Sequence, residues 1–91
     1  MATSRKRTTP FTFPCRFPIK VMGRADPGFK PLVIDIIRRH APDLEDTAVS
    51  IRKSRGGTWV SVTVVIQAVS RAQLDAIYRD LTADDRVVWA L

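Results

Sequence analysis

From Trp59 to Ala68 the chain sets Val60, Val62, Val64, Ile66 and Ala68 at every second position, with Trp59, Ser61, Thr63, Val65 and Gln67 between them. A side-chain period of two belongs to a β-strand, and an apolar set confined to one face describes a sheet covered on one side and open on the other. One strand of this kind cannot stand alone in water. The rest of the chain has to supply both its pairing partners and its cover.

Three further stretches have the same period. Phe17, Ile19 and Val21 alternate with Pro18, Lys20 and Met22 up to Gly23, and because proline lacks a ladder donor the regular strand is expected over Ile19–Met22. Val49 and Ile51 alternate with Ser50 and Arg52 and run into Ser54-Arg55-Gly56-Gly57-Thr58, whose glycine pair permits the positive φ of a tight hairpin into the Trp59 strand. Arg86–Leu91 reads as a last strand, with Val87, Trp89 and Leu91 turned inward.

The cover is helical. Phe29, Leu32, Val33, Ile36, Ile37 and His40 fall on one stripe of period 3.6, opened by Asp26 as N-cap with Pro27 behind it and stopped before Pro42. Pro31 falls in the first turn, and Asp35 and Arg39 stand four apart on the polar side. Ser70 and Gln73 form a capping box before a second stripe of Leu74, Ile77, Tyr78 and Leu81. The order is βαββαβ. With right-handed connections it predicts an α+β ferredoxin-like sandwich, a four-stranded antiparallel sheet with two helices on one face. The chain has 91 residues, room for one such domain over residues 13–91 and a mobile basic tail over residues 1–12.

Charge is uneven along the chain. Its net charge of +6 comes entirely from the first 24 residues, which carry Arg5, Lys6, Arg7, Arg16, Lys20 and Arg24 and no acid, while the remainder holds nine bases and nine acids. Three adjacent charges at Arg5–Arg7 fit a solubilising tail better than a nucleic-acid patch, which needs about five to eight. No apolar stretch after them has the length of a signal-peptide core, and Val60–Val69 is too short and too polar for a membrane span, so a cytoplasmic protein with no membrane partner is expected.

Three segments carry a resemblance. Phe13-Pro14-Cys15-Arg16-Phe17-Pro18-Ile19-Lys20-Val21-Met22-Gly23, Arg39-His40-Ala41-Pro42 and Ser54-Arg55-Gly56-Gly57-Thr58-Trp59-Val60-Ser61-Val62-Thr63 together resemble the YbeD-like family of small bacterial proteins of uncharacterised function. Trp59 stands where that family often has tyrosine. The resemblance covers residues 13–91 and implies a fold similar to ACT-type regulatory domains, with a regulatory role and no assigned catalytic residues.

Chemistry is scarce. His40 is the sole neutral-pH base, and its place at a helix C-terminus favours capping over catalysis. Cys15 is a lone thiol expected to pack, and Asp43, Glu45, Asp46, Asp84 and Asp85 fall in turns. No catalytic residues, metal ligands or cofactor are expected. Two sites remain. Met22, Gly23, Arg24 and Asp26 mark the end of the first strand and the start of the first helix, a candidate loop for a small-molecule effector. In ACT-like domains the corresponding loop carries effector contacts. Lys20, Arg52, Trp59, Ser61 and Thr63, with Met22, Ser50 and Val65 beside them, fall on the open side of the sheet as a candidate interaction face. The leading expectation is a non-enzymatic regulatory or protein-interaction domain, with a protein partner or a second copy on that face. The alternative is weak, salt-sensitive binding of RNA or single-stranded nucleic acid through the tail and the open sheet.

Overall fold

The alternating segments pair as the periodicity predicts. A computed structural model describes residues 12–91, so the basic tail lies almost wholly outside the described residues. The strands are β1 (Cys15–Arg24), β2 (Val49–Lys53), β3 (Trp59–Ala68) and β4 (Val87–Ala90), and the helices are α1 (Phe29–Arg38) and α2 (Arg71–Thr82). A 3-10 turn, Asp46–Ala48, leads into β2. All pairings are antiparallel and the sheet order is β2-β3-β1-β4, which makes the fold the expected βαββαβ sandwich.

The core fills the space between one sheet face and the helices. Ile19 and Val21 of β1, Val62 and Val64 of β3, Val33 and Ile37 of α1, and Ile77 and Leu81 of α2 are fully buried. On β3 the buried positions are Val60, Val62, Val64, Ile66 and Ala68, the same alternate set the sequence places inward.

β1 is longer than expected and runs through Pro18. The reason lies in its second neighbour. Lys20 exchanges both backbone hydrogen bonds with Leu91, at 2.9 and 2.8 Å, on the β4 side of β1. Pro18, two residues earlier, turns its nitrogen to that same side and away from β3, so the β1–β3 ladder loses no hydrogen bond there. The missing donor is therefore not missed.

α1 begins later than expected. Asp26 Oδ1 accepts the Gly28 N–H at 2.7 Å and the Asp26 carbonyl accepts the Phe29 N–H at 2.9 Å, a turn that precedes the regular helix. Pro31 has no N–H to offer the Pro27 carbonyl, so the helical ladder first closes at Leu32, which donates to Gly28 at 3.1 Å. In α2 the Ser70 hydroxyl caps the Gln73 N–H at 3.0 Å as predicted, while the Gln73 side chain takes the Val69 N–H at 2.8 Å instead of that of Ser70.

β4 departs most from its sequence pattern. Val21 pairs with Ala90, Met22 with Trp89 and Gly23 with Val87, so Val88 is an extra residue in the ladder. A bulge of this kind reverses the alternation beyond it. Val87 and Ala90 pack on the core, whereas Trp89 stands beside Met22 on the open face, which corrects its inward assignment. Leu91, paired with Lys20 and 70% exposed, is likewise not inward.

Candidate interaction face

Register builds the open face row by row. One row crosses the sheet as Arg52 on β2, Ser61 on β3, Met22 on β1 and Trp89 on β4, and the next as Ser50, Thr63, Lys20 and Leu91. Trp59 heads the face opposite Arg24, whose guanidinium carbon lies 5.5 Å from the Trp59 ring centroid, within cation–π range. The predicted residues Lys20, Arg52, Trp59, Ser61 and Thr63 are thus brought onto one surface. Trp89 joins them, and no periodicity argument placed it there. A shallow depression of about 300 Å³ runs between the two tryptophans, with Met22, Ser61 and Arg52 along it.

The electrostatics of this surface follow from the strands. None of β1, β2, β3 and β4 contains an aspartate or glutamate, so all nine acids of the chain lie in helices, turns and loops. Arg16, Lys20, Arg24 and Arg52 point to the open side, and none is in an ion pair with a carboxylate among the described residues. Residues 25–91 balance nine bases against nine acids, and the charge is divided by face. Its acids gather on the helical side, where Asp35 pairs with Arg39 at 3.0 Å and Asp46 with Arg38 at 3.3 Å.

The candidate effector loop is not brought together. Met22 and Arg24 are strand residues on the open face, Gly23 points the other way into the core, and Asp26 lies beyond the strand in the turn before α1. Gly23 has a packing reason to be glycine. A Cβ there would overlap the Phe29 ring and the Arg86 carbonyl oxygen.

Residues 8–91 match the family described as "Protein of unknown function (DUF493)". This chain belongs to that family. Among its relatives, a UPF0250 protein of Ectopseudomonas mendocina is 54% identical over 76 residues, covering 82% of this chain and 83% of its own length. Another, from Nitrosomonas europaea, is 48% identical over 69 residues, 76% of this chain and 79% of the relative. The solution structure of protein HP0495 from H. pylori superposes with a TM-score of 0.73 at 13% identity, covering 100% of this chain and 96% of that one, a likeness of fold alone. The YbeD-like resemblance is thereby established, and the family's description assigns no residue roles.

The remaining polar groups of this DUF493 domain hold the fold together. His40 Nε2 lies 2.6 Å from Asp80 Oδ2, tying the end of α1 to α2, and its carbonyl accepts the Gln73 side-chain N–H at 2.8 Å. The hydrogen bond from His40 holds the Asp80 carboxyl below the usual aspartate range, assisted by the nearby His40, Arg39 and Arg79 charges. Asp80 was invisible as a partner in the sequence because it is forty residues from His40. Asp84 Oδ1 accepts the Arg86 N–H at 2.9 Å, which likewise lowers its pKa. Cys15 is a half-buried free thiol at the start of β1, packed on the core rim. No helix among the described residues is long and apolar enough to cross a membrane.

Proposed function

We propose that this protein is a non-enzymatic interaction module that docks an acidic protein segment on its open sheet face, as a regulator of the partner it holds. The observation that carries the reading is the division of charge: Lys20, Arg24 and Arg52 stand beside Trp59, Met22 and Trp89, with Arg16 farther along β1, on a surface whose strands have no carboxylate. Complementary charge steers such a partner in and fixes its register, and the two indoles supply the apolar area that gives affinity. Same-face strand residues recur about every 6.7 Å, which is also the spacing of alternate carboxylates in an extended peptide.

Single-stranded RNA is the second reading, favoured by the presence of two tryptophans on one sheet face. Two features rank it lower. β1 offers Met22 rather than an aromatic, and Arg24 already covers a face of the Trp59 ring that a base would need.

Both tryptophans of the chain lie on this face, so intrinsic fluorescence reports on it directly. Titration with a peptide of alternating glutamate and leucine is expected to shift the emission with an affinity that falls as salt rises. Reversing two charges, Lys20→Glu with Arg52→Glu, should weaken binding by about tenfold or more. No emission change with the peptide would refute the proposal. Tighter binding of oligouridylate that is lost in Trp59→Ala would replace it with the RNA reading.

A further inference from the structure

On the helix-covered side of the sheet one apolar residue is left in solvent. Ile51 stands opposite Val62, which is fully buried, and shares its face, yet Ile51 is 45% exposed. The cause is where α1 begins. The helix starts at Phe29 and packs on β1, β3 and α2, so the end of β2 has no lid. What remains is a cleft of about 610 Å³, bounded on one side by the β1–α1 turn and the first turn of α1 and on the other by the end of β2 and the hairpin.

Apolar and charged groups divide this cleft in a way that selects a ligand. Ile51, Pro27 and Pro31 give it an apolar lining over the buried Phe29 and Val60, while Lys30 from α1 and Lys53 from β2 contribute two cations from opposite banks. Neither lysine is paired with a carboxylate among the described residues. Asp26, the acid at the rim, has Oδ1 committed to the Gly28 N–H at 2.7 Å. The volume falls within the roughly 300 to 1,000 Å³ usual for small-molecule sites. Two ammonium groups against the single Asp26 carboxylate leave the cleft net positive beside an apolar surface, which matches a molecule with one anionic end and one apolar body.

We propose that this cleft binds a small carboxylate with a branched or aromatic apolar body, seated on Ile51, Pro27 and Pro31 with its carboxylate between Lys30 and Lys53. The site lies on the side of the sheet opposite the two tryptophans, and the proposal stands whether or not the open face docks an acidic segment. It also differs from the loop first considered for an effector, of which it retains Asp26 alone.

The test is an amide NMR titration of the isotope-labelled full chain with hydrocinnamate, set against hydrocinnamyl alcohol, which has the same skeleton without the charge. Saturable shifts in the millimolar range at Ile51, Lys53, Gly57 and the first turn of α1 are expected with the acid, and binding at least several-fold weaker with the alcohol. Lys30→Met and Lys53→Met should each weaken the acid several-fold, and the double variant should bring it down to the alcohol. Both positions are exposed, and the unperturbed remainder of each spectrum checks that the variant is folded. Equal binding of acid and alcohol, shifts confined to the open sheet face, or no saturable shift would each overturn the proposal. So would ligand-free shifts of the same amides with protein concentration, since these would give the cleft to a second copy of the chain.

Discussion

Along β3, Val60, Val62, Val64 and Ile66 are buried beneath the helices, while Ser61, Thr63 and Val65, each one residue away, stay partly exposed on the other side. β1 repeats the contrast, with Ile19 and Val21 fully buried and Lys20 and Met22 turned outward. One backbone thus carries two surfaces. The helix-covered face is continuous with the core, and its residues are fixed by packing. The open face has no such duty, yet it collects both tryptophans and four cations and excludes every acid. Packing explains the first composition. Solvation alone would be served equally well by mixed charge on the second, so its single sign is what asks for a partner.

The sharpest way to break this contrast is to exchange a residue of each face for alanine and compare stability. Ile36→Ala, in the core, should cost about 2 to 5 kcal/mol in urea unfolding, through lost burial and the cavity left behind. Gly23→Ala adds an atom where the Arg86 carbonyl cannot easily move, and about 1 to 3 kcal/mol of destabilisation is expected from the overlap. Trp89→Ala removes the larger side chain but from a half-buried position on the open face, so a loss of only about 1 kcal/mol is expected. A loss for Trp89→Ala equal to that for Ile36→Ala would put the indole back in the core and dissolve the distinction between the faces.

Much of this was readable from the chain. The stripe of Phe29, Val33, Ile36 and Ile37, the alternation in β3, the Ser70–Gln73 cap and the hairpin, with Gly57 at φ +77°, are local features set by nearest neighbours. Trp89 was misplaced because one extra residue, Val88, is accommodated opposite Gly23, and a bulge is decided by the partner strand and not by the strand itself. Ile51 carries a core pattern at a position the helix does not reach, since the sequence of β2 holds no record of where α1 starts. The division of charge was legible but hidden by counting along the chain. Strand parity sets Lys20, Arg24 and Arg52 on one face, and no strand has an acid.

A smaller effect separates the helical side from the sheet. Asp80 has a lowered pKa in the folded state, so the unfolded chain takes up its proton more readily. Its contribution to stability is complete above the unfolded value of about 3.9 and is lost as the pH falls through the lower folded value. Asp80→Asn should therefore flatten the acid limb of a stability–pH curve while leaving peptide binding at the open face unchanged. An acid limb as steep as that of the parent would show that the His40–Asp80 tie contributes nothing.

The claim that the sheet presents a cationic surface bearing both tryptophans can be measured without any partner. Iodide and caesium quench indole on contact and differ in charge sign, so at fixed ionic strength their relative efficiencies report the local potential. Trp59 is 37% exposed and Trp89 half-buried, which leaves both within reach. Iodide should quench the protein several-fold more efficiently than caesium, and the triple variant Lys20→Gln, Arg24→Gln, Arg52→Gln should bring the two quenchers close together. Caesium quenching as well as iodide in the parent protein, or a ratio unmoved by the triple variant, would contradict the account.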